Sequence, residues 1–140
     1  MPVDCIFCRI VEGVIPSTRV YEDKDVLAFM DISPVVKGHT LVIPKAHFNA
    51  LMDTPAETLA KLIAVVRKIG MAQVQGLNAD GINVAQANGT LAGQIVPHIH
   101  FHVIPRFKHD GHSWNSPVGK YDSTDEMSGY ADRILNSVGK

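Results

Sequence analysis

Three histidines alternate with large apolar residues in the stretch His-Ile-His-Phe-His-Val-Ile, which occupies residues 98–104 and is closed by Pro105. Alternation with a period of two is typical of a β-strand, because successive side chains of a strand point to opposite faces. The pattern therefore predicts a strand with His98, His100 and His102 on one face and its apolar side chains in a core. Neighbouring imidazoles on such a strand stand about 6–7 Å apart, which is twice the strand rise.

A row of three imidazoles indicates chemistry, because desolvating three adjacent histidines serves no purpose in packing. Two kinds of site use such a row. Histidines two residues apart on a strand can bind one metal ion between them. Alternatively, one imidazole attacks as a nucleophile, and its neighbours fix its tautomer and neutralise charge on the electrophile. The other residues of the chain have to distinguish these two sites.

Cys5 and Cys8 are the only cysteines of the chain. The sequence shows no basic segment followed by an apolar one that would predict export, so a structural disulfide is disfavoured. Zinc binding, redox chemistry and two unrelated thiols remain as interpretations. Two thiolates in one turn would supply half of a tetrahedral zinc shell, and the other ligands would come from elsewhere in the chain.

Further strands are predicted around the triad. Short runs rich in β-branched and aromatic residues, bounded by turn residues, favour strands. They predict a hairpin over 18–22 and 25–32 that turns at 23–24, a strand over 39–43 ended by Pro44, and a strand over 82–87. On the second arm of the hairpin, Val26, Ala28 and Met30 share one face, and Leu27, Phe29 and Asp31 share the other.

Two helices are predicted outside the strands. Thr54-Pro55-Ala56-Glu57 combines a capping residue, a proline at the first helical position and a glutamate three residues after the cap, and Gly76 ends the segment. A second helix starts at Ser123, boxed with Glu126, and runs through Leu135. The first helix has an apolar stripe that predicts a core or dimer-interface face: Leu59, Leu62, Ile63, Val66 and Ile69.

A glycine-containing loop over 88–94 leads into the triad strand. Glycines let backbone N–H groups approach a phosphate closely, and Gln94 adds a side-chain donor. Next to three histidines, this loop is a candidate phosphate cradle.

Composition restricts the class of partner. The 140 residues are 46% hydrophobic and 19% charged, with a formal net charge of −1, which predicts one globular domain. Near-neutral charge gives no electrostatic basis for binding polymeric nucleic acid or an anionic membrane. The sequence has no run of about 18 apolar residues that would span a bilayer, and a cytoplasmic location is expected.

Residues 98–104 fit the motif His-x-His-x-His-x-x with apolar x at every position, and the chain resembles the histidine triad (HIT) family of nucleotide hydrolases and transferases. The resemblance covers residues 5–107 and includes five further blocks: 5–8, 21–23, 28–32, 38–47 and 93–94. It implies an α+β, HIT-like fold, in which an antiparallel sheet carries one long helix and a C-terminal helix. The HIT domain would span 1–107, and an extension over 108–140 would pack its terminal helix on the same domain.

The resemblance also implies roles for the histidines. His100 would attack the α-phosphorus of a purine nucleotide derivative of AMP or GMP, either a phosphoramidate or a dinucleoside polyphosphate, and form a nucleotidyl-histidine that water resolves. His102 and backbone amides of the Gly93-Gln94 segment would hold the phosphoryl oxygens. His39 would orient the catalytic imidazole. His98, the remaining histidine of the catalytic set, would be structural, with its backbone orienting His100.

The nucleoside would bind apart from the histidines. By resemblance, Asp31 accepts hydrogen bonds from the ribose, and a purine is held between Phe7, Ile10, Phe29 and Ile32. Two positions depart from the family pattern. In the family a hydroxyl residue is common at the position of Ile95, and a polar amide is common at the position of Ala87. These positions help contact the phosphate or the leaving group, and the two apolar side chains put both roles in doubt. Asn88 or Gln86 could replace the amide that is missing at Ala87.

The zinc-bearing branch of the family implies a structural Zn²⁺ bound by Cys5, Cys8, His47 and His98. The resemblance also implies a homodimer formed through the long helix and a neighbouring strand. Two other functions stay open. One is a nucleotide-binding or adaptor protein with little activity, and the other is a hydrolase with a catalytic zinc ion bound by the three triad histidines.

Overall fold

A five-stranded antiparallel sheet forms the centre of the computed structural model, which describes residues 4–113 and 118–139. The strands are β1 (Arg19–Glu22), β2 (Val26–Met30), β3 (Thr40–Pro44), β4 (Gly81–Ala85) and β5 (Phe101–Arg106), in the spatial order β1-β2-β3-β5-β4. The helices are α1 (Ile6–Val11), α2 (Ala56–Leu77) and α3 (Thr124–Ser137), and Leu51–Asp53 and Thr90–Ala92 form 3₁₀ turns. The α+β fold with an antiparallel sheet is confirmed.

The two faces of the sheet have different coverings. On one face, Val26, Ala28 and Met30 of β2 join a core that α2 and α3 complete. On the other face, Leu27 and Phe29 pack with residues of α1. Because α1 has only 6 residues, it covers part of this second face and leaves room for a cavity. The predicted division of β2 between two faces is therefore correct.

The triad strand is shorter at its start than the alternation predicts. β5 begins at Phe101, so His98 and His100 precede it. Pairing with β3 stops at Val42 opposite Phe101, and the same register would place Ile99 opposite Pro44, which has no backbone N–H to donate. The Ile99 N–H donates instead to the carbonyl of Phe48 at 2.8 Å.

The end of β5 also differs, since the strand continues through Pro105 to Arg106. The Arg106 carbonyl accepts from Asp80 on the β4 side, so the backbone of Pro105 faces the β3 side. There the ladder has already ended at the Thr40–Val103 pair. Pro105 is tolerated because no donor is needed at that position.

Both ends of α2 differ from prediction. The Thr54 hydroxyl donates to the Ala50 carbonyl at 2.7 Å instead of capping the helix, and Pro55 is the N-cap residue. The helix passes Gly76 and ends at Leu77, because Asn78 takes a left-handed conformation with φ 58°, a common end for a helix. The Ser123 cap of α3 is confirmed, since its Oγ accepts from the Glu126 N–H at 3.0 Å.

The apolar stripe of α2 is narrower than predicted. Leu62, Val66 and Ile69 are buried, Leu59 is half-buried, and Ile63 is 50% exposed. In α3, Ala131 and Ile134 enter the same core as α2. The division of the chain at residue 107 stays a prediction. Within 4–113 and 118–139, no helix has both the length and the apolar character required to cross a membrane.

Gly38, which precedes β3, requires glycine for two reasons. Its φ is +104°, and a Cβ would lie 2.6 Å from Leu77 Cδ1 and 2.8 Å from Pro105 Cγ. We expect Gly38→Ala to lower the free energy of unfolding by about 2–4 kcal/mol, from backbone strain and overpacking together. Urea denaturation checks this value.

Gly13→Ala is the matched control for Gly38→Ala. Gly13 has φ +80°, but a Cβ there would meet no atom within 4 Å. Only the backbone strain should remain, which is about 1–2 kcal/mol. Equal losses for the two variants would contradict the predicted clash at Gly38.

Candidate active site and metal centre

A cavity of about 750 Å³ crosses the α1 face of the sheet from β2 to β4. One half is lined by α1 and β2, including Phe7, Phe29 and the Asp31 carboxylate. The other half is lined by β4 and the loop before the triad, including Ala87 and Ile95. The strand order places β5 between these halves, and His100 and His102 line the cavity there.

His100 is a neutral imidazole with one free ring nitrogen. Its Nδ1 lies 2.8 Å from the carbonyl oxygen of His98, and a carbonyl can only accept, so Nδ1 carries the proton. The Nε2 lone pair is then free. Burial lowers the pKa of His100, so the ring stays unprotonated at neutral pH, which is the form that attacks an electrophile.

His102 has the complementary tautomer. The Val35 N–H donates to His39 Nδ1 at 3.1 Å, which leaves the proton of His39 on Nε2. This Nε2–H donates to His102 Nδ1 at 2.9 Å, so the proton of His102 is on its own Nε2. Burial lowers the pKa of His39 to about 4 and that of His102 to about 4. The site therefore holds a free nitrogen on His100 and a ring N–H donor on His102.

Asp31 lies at the end of β2, close to the same histidines. One carboxylate oxygen accepts from the Ser33 N–H at 2.8 Å, and the other is 3.6 Å from His39 Nε2. Burial raises the pKa of Asp31. Asp31, His39 and His102 are near enough to share a cation, but His39 Nε2 carries a proton in this bonding pattern and has no lone pair for a metal.

A second cluster lies beside the cavity and contains Cys5, Cys8, His47 and His98. Cys5 caps α1 and its Sγ accepts from the Cys8 N–H at 3.4 Å, so one turn of helix brings the two thiols together. His47 follows β3, and His98 precedes β5. The ligand atoms of all four side chains lie within 4.8 Å of one another.

The donor set of this cluster fits a metal ion. His98 Nε2–H donates to the Pro44 carbonyl at 2.8 Å, and His47 Nε2–H donates to Asn49 Oδ1 at 2.9 Å. Both Nδ1 atoms therefore carry lone pairs, and they face each other at 3.2 Å. Two lone pairs at this distance repel each other unless a cation lies between them. Outer hydrogen bonds that fix the ligand tautomer are typical of metal-bound histidines.

The two thiols of the cluster are free of disulfide and buried. Cys8 Sγ is 3.2 Å from His47 Nδ1 and 3.5 Å from His98 Nδ1. Burial, followed by the hydrogen bond with Cys5, raises the pKa of Cys8 to about 12. A bound cation would reverse this effect, since a coordinating thiol loses its proton. Two thiolates and two imidazoles form a tetrahedral set.

Several predicted site residues lie outside the cavity lining. The Gln94 amide accepts from the Gly89 N–H and donates to the carbonyls of Asn49 and Val96, so it holds its own loop. Asn88 Oδ1 accepts from the Leu51 N–H at 2.7 Å. Gly93 is exposed. Contacts of these residues with a phosphate stay predictions.

The other predicted nucleotide residues line the cavity, and so do residues that sequence reasoning missed. Phe7, Ile10, Phe29, Asp31 and Ile32 are all in the lining. Among the missed residues are Ile15 and Ser17 before β1, Val35, and Val118 from the C-terminal segment. They lie in loops without hydrophobic periodicity, so the sequence carries no signal that would place them in a cavity.

Comparisons with known proteins found matches over most of the chain. The model of the HIT domain matches residues 12–109. The chain is 36% identical to "Adenosine 5'-monophosphoramidase hnt1" of Schizosaccharomyces pombe, with 97% of this chain and 99% of that protein covered. It is 39% identical to "Adenylylsulfatase HINT3" of Arabidopsis thaliana, with 76% of this chain and 54% of that protein covered.

Solved structures include the crystal structure of a zinc-bound histidine triad family protein from Mycobacterium smegmatis. It is 41% identical, with a TM-score of 0.87, and the match covers 96% of this chain and 92% of that chain. The triad, the antiparallel sheet and these matches lead to one assignment: the chain belongs to the HIT family.

Proposed function

We propose that the chain hydrolyses purine nucleoside phosphoramidates through a covalent nucleotidyl-histidine on His100. The observation that carries this proposal is the hydrogen bond from His100 Nδ1–H to the His98 carbonyl at 2.8 Å, which leaves Nε2 free in the cavity wall. The names of the Schizosaccharomyces pombe and Arabidopsis relatives, a phosphoramidase and an adenylylsulfatase, support hydrolysis of a nucleotide derivative.

The reaction proceeds in two displacements at the α-phosphorus. His100 Nε2 forms a bond to phosphorus, the phosphorus–nitrogen bond of the substrate breaks, and the departing amine takes one proton from water. A second water then attacks phosphorus and gives one proton to the hydroxide left by the first step. The bond to His100 breaks with its electron pair returning to Nε2, and nucleoside monophosphate leaves. The Nε2–H of His102 donates to a phosphoryl oxygen, an effect worth about 3 kcal/mol. The backbone N–H groups of Gly93 and Gln94 already donate to the carbonyls of Thr90 and Gly89, so they take no part in this scheme.

The nucleoside occupies the half of the cavity formed by α1 and β2. Phe7 and Phe29 meet edge to face with their ring centroids 5.5 Å apart, and Ile10 and Ile32 also line this half. The Asp31 carboxylate accepts from the ribose hydroxyls. An apolar site of this kind accepts adenine or guanine, so AMP and GMP derivatives are both substrates in this proposal.

The leaving group occupies the other half, where the lining favours an uncharged amine. Ala85, Ala87, Ala92 and Ile95 line it, and within the described residues no lysine or arginine lines the cavity. Sulfate or a nucleoside polyphosphate leaves with negative charge that such a lining cannot neutralise. This contrast favours phosphoramidates over adenylyl sulfate and dinucleoside polyphosphates.

Substrate competition tests this choice. Adenosine 5′-phosphoramidate, adenylyl sulfate and diadenosine tetraphosphate share the adenylyl group and differ in the leaving group. We expect kcat/KM to be about tenfold or more higher for the phosphoramidate, with an adenylylated protein trapped by an alkaline denaturing quench and released by acid, as a phosphorus–nitrogen bond requires. Faster release of sulfate or polyphosphate would contradict the leaving-group assignment. Nucleotide binding without turnover would instead support the adaptor function.

We further propose that the ion of the Cys5, Cys8, His47 and His98 cluster is zinc and that its role is structural. The ion would hold α1, the segment after β3 and the triad strand together. A catalytic ion bound by the three triad histidines is disfavoured, because His98 Nδ1 faces the cysteines. In addition, His102 Nδ1 accepts from His39, so its Nε2 carries a proton and has no lone pair for a metal.

A homodimer is the proposed assembly. β4 lies at an edge of the sheet, and its Ile82 and Val84 are 36% and 47% exposed. On α2, Met71 and Val74 are 39% and 46% exposed. An edge strand and a helix with exposed apolar residues fit a second copy of the chain. The cytoplasmic location stays a prediction.

A further inference from the structure

The peptide groups on both sides of Gly38 are held by side chains from distant parts of the chain. The Gly38 N–H donates to the hydroxyl of Tyr121 at 2.8 Å. The Gly38 carbonyl accepts from Gln73 Nε2 at 3.1 Å and from Thr40 Oγ1 at 2.9 Å. Gly38 directly precedes His39, so these contacts fix the backbone that carries the histidine bonded to His102.

Gln73 connects this backbone to the triad strand. The same Nε2 that binds the Gly38 carbonyl also donates to the carbonyl of Val103 at 2.9 Å. One amide group therefore joins the residue before His39 to the residue after His102. Gln73 is fully buried, and its Oε1 has no hydrogen-bond partner. Leaving a buried acceptor without a hydrogen bond costs free energy. The amide keeps this orientation because its Nε2 donates two hydrogen bonds.

Tyr121 holds the other side of Gly38 from the C-terminal segment. This segment also makes other contacts with the loop before β3. The Gly119 N–H donates to the Pro34 carbonyl at 2.8 Å, and Lys37 forms an ion pair with Glu126 at 3.0 Å. The loop contains Val35, whose N–H sets the tautomer of His39.

We propose that Gln73 and Tyr121 are positioning residues that hold Gly38 and thereby keep His39 in hydrogen-bond contact with His102. If His39 shifts, His102 loses the donor that keeps its Nδ1 unprotonated. Its proton can then move from Nε2 to Nδ1, and the donor to the phosphoryl oxygen is lost. This inference rests on the proposed function for its effect on turnover, but its effect on the histidine tautomer is independent of substrate.

The test uses two substitutions that each remove hydrogen bonds at nearly constant volume. Gln73→Met removes both donated bonds, and Tyr121→Phe removes one hydroxyl. We expect kcat for adenosine 5′-phosphoramidate to fall about 10–100-fold for Gln73→Met and about 2–10-fold for Tyr121→Phe. Since neither residue lines the cavity, KM should stay within about threefold.

Nitrogen-15 spectra of the histidine side chains supply the second measurement. In the wild-type protein His102 should show an Nε2–H tautomer bonded to His39, and signals are assigned with His39→Gln and His102→Gln. Both positioning variants should shift His102 towards a mixture of tautomers. A change in stability alone would leave the tautomer of the folded protein unaltered.

Matched controls are available for both variants. Tyr130→Phe removes the hydroxyl of the tyrosine whose ring lies 5.8 Å from Tyr121 but which does not bind Gly38. Ile69→Val alters a buried side chain of α2 one turn before Gln73. Both should keep wild-type kcat and the Nε2–H tautomer.

Two outcomes separate the inference from the proposed function. If Gln73→Met and Tyr121→Phe match their controls in kcat and in the His102 tautomer, the positioning role is overturned. If the wild-type protein turns over no nucleotide, the proposed function fails, and the histidine spectra still decide whether Gln73 and Tyr121 position His39.

Discussion

His100→Ala is expected to lower turnover of a nucleoside phosphoramidate by at least about a thousandfold, because the variant lacks the atom that forms the covalent bond. Nucleotide affinity should change little, since Phe7, Phe29 and Asp31, which are proposed to hold the nucleoside, line the other half of the cavity. Steady-state kinetics and equilibrium binding of AMP give the two values. An alkaline denaturing quench should trap adenylylated protein for the wild type and none for the variant.

His109→Asn is the matched control for this substitution. His109 is exposed and has φ 66°, a conformation that asparagine tolerates, so the variant removes an imidazole without strain at the site. It should keep wild-type turnover. If His100→Ala retains a tenth of the activity, His100 is not the nucleophile.

Loss of the proposed metal ion is expected to have the largest effect on stability. Cys8→Ser should abolish stoichiometric zinc and lower the midpoint of thermal unfolding by on the order of 10 °C, because the proposed ion would tie α1 to the segments that carry His47 and His98. Elemental analysis of protein purified without chelator or a histidine tag should give one zinc per wild-type chain.

Two comparisons locate the ion. A chelator should lower the unfolding temperature of the wild type and leave that of Cys8→Ser unchanged. His100→Ala should retain zinc, since His100 is not among the four clustered ligands. Wild-type protein that lacks metal, or a His100→Ala protein that loses it, would contradict the proposed centre.

The sequence predicted the faces of the strands better than their ends. Ile99, Phe101 and Val103 lie in the core as the alternation requires, because the period of a strand is a local property. The limits of β5 depend on its neighbours. Pro44 stops one ladder, and Pro105 is tolerated because the opposite strand has already ended, and neither effect can be derived from residues 98–105 alone.

The sequence did not predict which polar side chains bind nearby backbone groups instead of a ligand. Gln94 was expected as a phosphate donor, but its amide binds three backbone groups of the surrounding loops. An amide can bind a ligand or its own loop, and only the three-dimensional path of the chain distinguishes them. For the same reason Gln73 and Tyr121 passed unnoticed, since they contact Gly38 from 35 and 83 positions away.

His98 contributes to both sites, through its ring and through its backbone. The imidazole faces the cysteines, while the carbonyl accepts a hydrogen bond from His100 Nδ1–H. Every substitution of His98 keeps the backbone carbonyl but removes the imidazole whose contacts fix the position of that carbonyl. A saturation mutagenesis experiment scored on activity would therefore rank His98 beside His100, although its ring touches no substrate in this scheme. Sensitivity to substitution at this position would report how accurately the His98 carbonyl is placed against His100 Nδ1. It should not be taken as evidence that the His98 side chain takes part in the reaction.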